Sequence, residues 1–315
     1  RDDVESRGLG DVYKRQGDIY AVKEGSVVFP NEPIVTVKAP VIEAQLIETM
    51  LLLTINHQSL IATKANRIVR AAKDRTVLEF GARRAQGYDA AILGARAAYI
   101  GGVHGSATAL SDIEFNVPAS GTMAHSFIQL YNDEYEAFSA YAKHNPDNTT
   151  LLVDTYNVLE SGIPNAIRVA KEVLEPMGKR LKGVRLDSGD LTYLSNKSRK
   201  MLDEAGLEDC KIVASNSLDE KIISELLNQK APIDIFGVGE RLITSKSQPV
   251  FGGVYKLCAV EENGELVPRI KISENVEKVT NPGYKTLYRF YDKDSKKAIG
   301  AVSYTHLTLP TTSRV

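Results

Sequence analysis

The sequence predicts a protein of the α/β class, with a repeated strand-and-helix unit between two β-rich ends. Two observations predict the repeat: short β-rich runs recur along the middle of the chain, and apolar residues at helical spacing follow them. Strands that alternate with helices pair in parallel through right-handed crossovers, in a doubly wound sheet or a (β/α) barrel. A third observation, short apolar runs broken by turn residues near both ends, predicts antiparallel strands there.

The composition is that of an ordinary globular protein. The 315 residues suit one large domain or a large domain with a small partner, and 39 basic residues balance 40 acidic ones. Neither the net charge of -1 nor any lysine or arginine run provides the basic stripe of a nucleic-acid-binding protein. We therefore expect small-molecule ligands and no nucleic acid.

Cysteine use and hydropathy indicate the compartment. Only Cys210 and Cys258 are present, which argues against a zinc site and against a disulfide scaffold. The longest apolar stretch, near residues 50–55, is far shorter than the roughly 20 residues that cross a bilayer. The polar N-terminus has no signal-peptide core. We expect a cytoplasmic protein that makes no membrane contact.

The first elements follow in order along the chain. Residues 1–16 and 301–315 show neither helical nor strand periodicity, and we expect both ends to be non-native or disordered. Residues 17–41 predict part of a β-rich small domain, with short strands at 18–22, 27–29 and 34–37. The apolar spacing of residues 42–72, which contain no glycine or proline, predicts one or two helices.

The repeated unit comes next, and residues 42–250 are expected to form one (β/α) domain. Its β-rich runs lie at residues 77–80, 151–154, 183–187, 211–215 and 233–237. Its helices are expected at residues 85–100, 163–174, 191–205 and 219–228. Residues 251–300 return to a β-rich pattern, with strands at 253–260 and 286–291 and a hairpin signal at 262–265.

Polar residues end the β-rich runs, and the run that ends at Asp187 carries the strongest signal. Asp187, Ser188 and Asp190 place two carboxylates and a hydroxyl at the start of the next helix, close to Arg185. Such groups can bind ribose hydroxyls or Mg²⁺ beside the backbone N–H groups of a helix N-terminus. Alternatively, Asp187 and Ser188 only cap the helix. In a barrel all these strand ends gather at one face, where the active site lies.

Two further strand ends suit a phosphate group. Gly237 and Gly239 follow the last run, and a turn with two glycines lets backbone N–H groups approach a phosphate closely. Ser215 and Asn216 follow the preceding run and add small hydrogen-bonding side chains. Each turn by itself is also typical of an ordinary strand-to-helix connection. Three consecutive strand ends of this character favour a phosphate-binding site.

A histidine and two arginines complete the candidate set. His125 follows a loop that contains Thr122, where an anionic ligand could lie beside the imidazole, and an imidazole can act as a base or a phosphoryl acceptor. Arg83 and Arg84 follow another strand, and guanidinium groups suit carboxylate or pyrophosphate recognition. The alternatives are a packed or surface histidine and an ordinary surface arginine pair.

Together and in this order, these segments resemble the nicotinate phosphoribosyltransferase family over residues 17–300. The resemblance is carried by EFGARRAQG, VPASGTMAHSF, LLVDTYN, GVRLDSGDL and FGVGERL. No fragment is specific alone, whereas the combination is. The resemblance implies an irregular (β/α) barrel over residues 42–250, with a smaller β-rich domain formed from both chain ends.

The resemblance also implies a reaction and a role for each candidate residue. His125 would be phosphorylated by the co-substrate ATP, and this would drive the condensation of nicotinate with phosphoribosyl pyrophosphate in NAD salvage. Nicotinate would be bound by Arg83, Thr122 and Arg185. The phosphoribosyl group would be bound by Asp187, Ser188, Ser215, Asn216, Gly237 and Gly239. Mg²⁺ would neutralise the departing pyrophosphate, and the complete enzyme would be a homodimer.

Two departures from the family pattern affect these expectations. The glycine loop ends in Glu240, where many relatives have threonine, so we expect this side chain to pair with Arg241 or face away instead of contacting phosphate. Relatives also carry an N-terminal tyrosine that stacks on nicotinate, and neither Tyr13 nor Tyr20 has the context to replace it. We expect that the fragment itself can be inactive, whereas the full-length parent is the enzyme.

Two alternatives stay open on the sequence alone. One is a related phosphoribosyltransferase that acts on nicotinamide or quinolinate, although the loop SGTMAHS favours nicotinate. The other is a truncated barrel that binds a phosphorylated metabolite without catalysis. Loss of ATP-dependent labelling in the intact parent protein would favour the second alternative.

Overall fold

A computed structural model describes residues 17–274, 279 and 281–305 of the chain. The described residues fall into two compact units, one of residues 17–54 and 253–305 and the other of residues 55–252. The expectation for residues 1–16 lies outside the described residues, as does the C-terminal expectation from residue 306 onward.

The elements alternate as the sequence predicts. The strands are β1 (Asp18–Ala21), β2 (Val35–Lys38), β3 (Thr76–Glu79), β4 (Gly105–Ser106), β5 (Thr150–Leu152), β6 (Gly183–Leu186), β7 (Lys211–Ala214), β8 (Ile235–Val238), β9 (Ala259–Glu262), β10 (Glu265–Pro268), β11 (Thr286–Tyr291) and β12 (Ala298–Tyr304). The α-helices are α1 (Val41–Leu46), α2 (Glu48–Ala72), α3 (Tyr88–Ile100), α4 (Ala109–Phe115), α5 (His125–Ile128), α6 (Glu134–His144), α7 (Ile163–Val169), α8 (Leu191–Glu204), α9 (Glu220–Asn228) and α10 (Glu240–Ile243).

In the first unit, the described strands form three antiparallel pairs: β1 with β2, β9 with β10, and β11 with β12. The β9–β10 hairpin turns at Asn263 and Gly264, whose φ angles are 52° and 82°. Two consecutive left-handed residues match the twist of a hairpin, and asparagine followed by glycine is the preferred sequence for them. The hairpin expected at residues 262–265 is therefore confirmed.

Two predictions near the chain ends are wrong. Residues 27–29 are not a strand, because Phe29 donates its backbone N–H to the side chain of Glu32 (3.1 Å) within a turn. Residues 301–304, expected to lack regular structure, continue β12 instead, because they pair with the start of β11. In both places the partner of the backbone, which a local pattern does not reveal, decides the conformation.

The sequence pattern also predicts too long a strand before the β9–β10 hairpin. Residues 253–258 are not a strand, and the carbonyl of Cys258 accepts hydrogen bonds from the backbone N–H groups of Arg269 (2.8 Å) and Gly283 (2.7 Å). Residues 42–54, grouped with the barrel in the sequence interpretation, cluster with the first unit.

In the second unit, six parallel strands form one curled sheet in the order β4-β3-β8-β7-β6-β5. This order follows the chain around a barrel, with one break between β4 and β5. The strand order of a doubly wound sheet would instead reverse at an internal switch point. The fold is therefore a half-barrel of the (β/α) type. The sequence missed β4 because its two residues are too few to carry a periodic pattern.

A packed core fixes the strands of the half-barrel. Leu151, Val184, Ile212 and Phe236, which come from β5 to β8, are all fully buried. Burying a side chain of this size contributes about 1.5–3 kcal/mol, so four strands are anchored at their centres. The residues that follow these strands are therefore held at one end of the sheet.

The helix expected at residues 163–174 follows one π-helical turn, Val158–Gly162, and ends in another, Ala170–Leu174. Gly162 makes the first of these turns possible, because a Cβ atom there would lie 1.9 Å from the carbonyl oxygen of Val153. The missing side chain lets the helix approach the end of β5 directly. This contact positions the residue after Val153, which is Asp154.

Candidate active site

Arg185 is the centre of a hydrogen-bond network at the carboxyl end of the half-barrel. Its guanidinium group donates from Nε to Ser215 Oγ (2.8 Å) and from Nη1 to Thr122 Oγ1 (2.9 Å). It also donates from Nη2 to Asp187 Oδ1 (3.0 Å). Three partners from three segments hold the planar group in one orientation. The structure thus brings together four residues that the sequence proposed for the site.

Asp187 shares its carboxylate between two sides of the site. Its Oδ1 atom accepts hydrogen bonds from Arg185 and from the hydroxyl of Ser215. Its Oδ2 atom lies 3.7 Å from Nε2 of His125. One carboxylate therefore faces both the guanidinium group and the imidazole ring.

The interpretation of Asp187 and Ser188 as mere helix caps is wrong. The cap of α8 is Asp190, whose side chain accepts a hydrogen bond from the backbone N–H of Tyr193 (3.0 Å). Ser188 donates its hydroxyl to Asp154 Oδ2 (2.6 Å). Asp187 and Ser188 therefore contribute their side chains to the polar site at the carboxyl end of β6.

His125 is the first residue of α5, and its ring is partly exposed. Nδ1 lies 3.0 Å from the hydroxyl oxygen of Thr155, and Nε2 lies 3.9 Å from Asp154 Oδ1 and 3.7 Å from Asp187 Oδ2. When the Thr155 hydroxyl donates to Nδ1, the proton of the neutral ring is on Nε2 and faces the two carboxylates. With 41% of its side chain exposed, the ring is also accessible to a ligand.

The sequence interpretation missed Asp154 and Thr155. Asp154 is almost fully buried, with 1% of its side chain exposed, and its Oδ2 atom accepts the backbone N–H of Asp187 (3.0 Å) as well as the hydroxyl of Ser188. Among the described residues, Oδ1 of Asp154 has no hydrogen-bond donor. The signal was present, since LLVDTYN is a β-rich run that ends in Asp154, as GVRLD ends in Asp187.

A second buried carboxylate, Glu134, lies close enough for the charge of Asp154 to act on it. Glu134 accepts hydrogen bonds from Ser161 and Asn165, which lie at and after the π-helical turn behind β5. Burial raises the pKa of Glu134, and the negative charge of Asp154 raises it further, whereas the two hydrogen bonds lower it. Glu134 therefore binds a proton more readily than an ordinary glutamate.

Phe80 is another residue that the sequence interpretation did not select. The guanidinium carbon of Arg185 lies 5.2 Å from the centre of the Phe80 ring, within the range of a cation–π contact. A Cβ atom at Gly237 would lie 2.5 Å from the same ring. Gly237, proposed from the sequence as a phosphate-binding residue, therefore also makes room for Phe80.

Other predicted residues lie in the expected loops without joining the network. Arg83 lies in the exposed 3-10 turn Ala82–Arg84 and makes no hydrogen bond or ion pair with any described residue. Asn216 and Ser217 follow β7 with φ angles of 82° and 51°. Two consecutive left-handed residues other than glycine are costly, and such strain is concentrated at functional sites.

The partner expected for Glu240 is wrong in part. Arg241 donates to Asp219, and Glu240 forms its ion pairs with Lys246 (3.0 Å) and Arg84 (4.0 Å) instead. The hydrogen bond from Lys246 holds the pKa of Glu240 below its usual value. Glu240 is therefore an anion that faces lysine and arginine side chains.

The described residues contain no cluster of three or more histidine, cysteine, aspartate or glutamate side chains that could hold a metal ion by itself. No helix among them is long and apolar enough to cross a bilayer. Guanidinium, carboxylate, hydroxyl and imidazole groups instead converge at the carboxyl ends of β5, β6 and β7. This arrangement defines the class of (β/α)-barrel proteins whose active site lies at the strand ends and suits small anionic substrates.

Comparison with known proteins identifies the family within that class. Residues 76–298 match the model of the nicotinate phosphoribosyltransferase (NAPRTase) family, and the chain belongs to this family. A nicotinate phosphoribosyltransferase of Bacillus subtilis (strain 168) is 54% identical over 283 residues, which are 89% of this chain and 57% of that protein. The resemblance inferred from the five sequence segments is therefore confirmed.

Two further relatives agree. The nicotinate phosphoribosyltransferase pncB2 of Mycobacterium tuberculosis (strain CDC 1551 / Oshkosh) is 46% identical over 87% of this chain and 57% of that protein. The crystal structure of human nicotinic acid phosphoribosyltransferase matches with a TM-score of 0.80 and 28% identity, over 98% of this chain and 71% of that one. The chain thus spans somewhat more than half the length of the curated relatives it matches.

Proposed function

We propose that the protein of which this chain is the core condenses nicotinate with phosphoribosyl pyrophosphate, giving nicotinate mononucleotide and pyrophosphate for NAD salvage. The observation that carries the proposal is the position of Asp187 between Arg185 (3.0 Å) and His125 (3.7 Å). It joins a cationic site for an anionic substrate to an imidazole suited to phosphoryl transfer. The names of the relatives support the choice of nicotinate.

Nicotinate is proposed to bind beside Arg185, Phe80 and Thr122. A guanidinium group has five N–H donors, and the three hydrogen bonds of Arg185 leave two for the nicotinate carboxylate. Phe80 offers an aromatic ring next to the same guanidinium group. Arg83, whose side chain is exposed and makes no bond within the described part of the chain, supplies a second cation. Two cations suit a carboxylate substrate better than the neutral nicotinamide.

The phosphoribosyl group is proposed to bind along the ends of β6, β7 and β8. The residues assigned to it are Asp187, Ser188, Ser215, Asn216, Gly237 and Gly239. In the reaction, the pyridine nitrogen of nicotinate forms a bond to ribose C1. The bond from C1 to pyrophosphate breaks, and its electron pair leaves with pyrophosphate. The protein's contribution is to position the two reactants and stabilise charge at C1, for which the anionic Asp187 is placed.

The residues of the site are suited to hold a Mg²⁺ ion that is also bound to the substrate. Mg²⁺ usually binds through one or two carboxylates together with substrate phosphates, so a complete protein cage is not required. Oδ2 of Asp187 accepts no hydrogen bond from the described residues and is the oxygen that would hold it. The bound ion would supply positive charge to the departing pyrophosphate.

His125 is proposed to couple the reaction to ATP. The γ-phosphoryl group of ATP would pass to a ring nitrogen of His125 with release of ADP, and water would later remove it. Thr155 contacts Nδ1 and the carboxylates of Asp154 and Asp187 face Nε2, so the three side chains together orient the ring. For the complete enzyme we further propose a homodimer that works in the cytoplasm.

The test measures nicotinate mononucleotide formed by the chain, and by the full-length protein, from nicotinate, phosphoribosyl pyrophosphate and Mg²⁺ with and without ATP. We expect product that ATP stimulates, and loss of the stimulation in His125→Ala. Product from nicotinamide or quinolinate instead would assign the protein to a related reaction. If neither protein forms product with nicotinate, nicotinamide or quinolinate, the result would favour the alternative of a barrel that only binds a phosphorylated metabolite.

A further inference from the structure

Glu79, the last residue of β3, is a fully buried carboxylate that the proposed reaction does not use. It accepts hydrogen bonds from the backbone N–H of Gly81, from Ser106 Oγ (2.6 Å) and from Thr108 Oγ1 (3.4 Å). Burial raises the pKa of Glu79, and the three hydrogen bonds lower it. Burying a carboxylate costs free energy unless hydrogen-bond donors surround it. The three donors of Glu79 therefore indicate which parts of the structure it holds in place.

The first partner, Gly81, leads into the turn that carries Arg83. Gly81 packs closely against Ile243, because a Cβ atom there would lie 2.6 Å from Cβ of Ile243, so the position admits no side chain. It directly precedes the 3-10 turn Ala82–Arg84. The bond from Gly81 to Glu79 therefore fixes the point from which the Arg83 turn leaves β3.

The second partner, Ser106, holds the loop that leads to Thr122. The backbone N–H of Ser106 donates to the carbonyl of Pro118 (3.0 Å), and the N–H of Ser120 donates to the carbonyl of Ser106 (2.8 Å). Ser106 also pairs with Ala119 in an isolated parallel bridge. The position of Ser106 therefore determines where the residues before Thr122 run.

The backbone joins the segment around Ser106 to β3 through the N–H groups of His104 and Ala107, which donate to the carbonyl groups of Val77 and Glu79 (both 2.9 Å). Strand β4 has two residues, lies at the edge of the sheet beside the break in the half-barrel, and pairs only with β3 among the described strands. The side chain of Glu79 adds a direct bond from β3 to Ser106 and another to Thr108. Glu79 is thus the group that connects the start of the Arg83 turn to the start of the Thr122 loop.

We propose that Glu79 is a positioning residue for nicotinate recognition, because it fixes the distance between the Arg83 turn and the Thr122 loop. The inference rests on the proposed function, since both segments are assigned there to nicotinate. A carboxylate suits the task because its two oxygen atoms together accept from all three donors. In Glu79→Gln an amide NH₂ group would meet the hydroxyl groups of Ser106 and Thr108.

The kinetic test compares Glu79→Gln and Ser106→Ala with the wild type. We expect the KM for nicotinate to rise about tenfold in both variants, because misplaced contacts weaken binding, while the KM for phosphoribosyl pyrophosphate stays within about twofold. Thr149→Val is the matched control. Thr149 is also fully buried and donates to the carbonyl of Asn145 (2.6 Å), but it lies before β5 at the opposite end of the sheet.

A second measurement does not depend on turnover. Amide hydrogen exchange at Gly81 and Ser120 should be about tenfold faster in Glu79→Gln than in the wild type, and unchanged in Thr149→Val. If Glu79→Gln fails to fold, Ser106→Ala, which removes one donor, carries the same kinetic expectation.

Four results overturn the inference. Equal increases in both KM values, or a lower melting temperature with both KM values unchanged, would make Glu79 a residue of general stability only. Unchanged exchange at Gly81 and Ser120 would show that Glu79 does not hold the two segments. A wild-type enzyme that makes no product would remove the nicotinate assignment together with the proposed function, and only that result touches both.

Discussion

The carboxylate of Asp187 lies between Arg185, which donates to Oδ1 at 3.0 Å, and His125, whose Nε2 atom is 3.7 Å from Oδ2. Arg185 is assigned to nicotinate binding and His125 to phosphoryl transfer from ATP. Asp187 therefore directly connects the residues of the two parts of the proposed reaction. A charge on either neighbour is felt by the same carboxylate.

Asp187→Asn should cost activity rather than stability. The amide keeps the shape of the side chain but removes the charge that Arg185 and His125 share. We expect kcat/KM to fall by about 100-fold or more. Chromatographic assay of nicotinate mononucleotide measures the loss. Asp147→Asn, which breaks an exposed pair with Lys179, is the control and should retain full activity.

Near-normal activity in Asp187→Asn would contradict the central role of this carboxylate. A fall in activity that is matched by unfolding would not support it either. A melting curve of each variant therefore accompanies the assay, and we expect the two curves to differ from the wild type by only a few degrees.

Two substitutions of Asp154 should differ in their effects on the free energy of unfolding and on ATP stimulation. Asp154→Ala removes the acceptor of the Asp187 backbone N–H and the Ser188 hydroxyl, which should lower the free energy of unfolding by about 2 kcal/mol. Asp154→Asn retains a carbonyl oxygen for these donors and should be more stable than Asp154→Ala, yet lose ATP stimulation because its charge beside His125 is gone. Urea unfolding and the ATP-dependent assay measure the two effects. Equal stability of the two variants would contradict the bonding role.

Gly237→Ala should displace Phe80. The added Cβ atom would lie 2.5 Å from the ring, so the ring must shift away from its place beside Arg185. We expect a loss of about 1–3 kcal/mol in the free energy of unfolding and a higher KM for nicotinate. Gly252→Ala is the control, because a Cβ atom there meets nothing within 4 Å. A Gly237→Ala variant with unchanged stability and KM would show that Phe80 needs no such space.

Cys210 should make the chain less stable at alkaline pH. Burial raises the pKa of its thiol to about 12. An unfolded cysteine loses its proton near pH 8.5, so above that pH the unfolded state binds fewer protons than the folded state. The free energy of unfolding should therefore fall as pH rises from about 8.5 toward 12, by up to about 1.4 kcal/mol per pH unit. Below about pH 8.5 this group contributes no pH dependence.

Urea unfolding of the wild type and of Cys210→Ala at pH 8 and pH 10 isolates this contribution from other titrating groups. We expect the wild type to lose about 2 kcal/mol more than the variant over this interval. Equal losses would mean that the thiol is accessible to solvent in the folded chain.

Much of the fold could be predicted from the sequence, because local periodicity encodes it. The runs that end at Asp154 and Asp187 were recognised as strands, and the Asn263–Gly264 hairpin was recognised from its turn residues. Strand β4, with two residues, has no period to detect. The π-helical turn Val158–Gly162 also has no local signal, since it depends on the close approach of Gly162 to Val153.

The sequence predicts which residue types form the site but does not predict which side chains contact one another. The polar strand ends were visible as motifs, and Arg185, Thr122, Asp187 and Ser215 were chosen from them. The motifs did not show that Glu240 pairs with Lys246, and they left out Asp154 although it ends a run in the same way as Asp187.

The class, the order of the strands along the chain and the family could all be predicted from the sequence, because local patterns and short motifs encode them. Which side chains meet could not be predicted in this way. Arg185 and Thr122 are 63 positions apart, and Glu79 and Ser106 are 27 positions apart. Contacts of such separation arise only when the parallel sheet curls and brings its strand ends together, which no local pattern specifies.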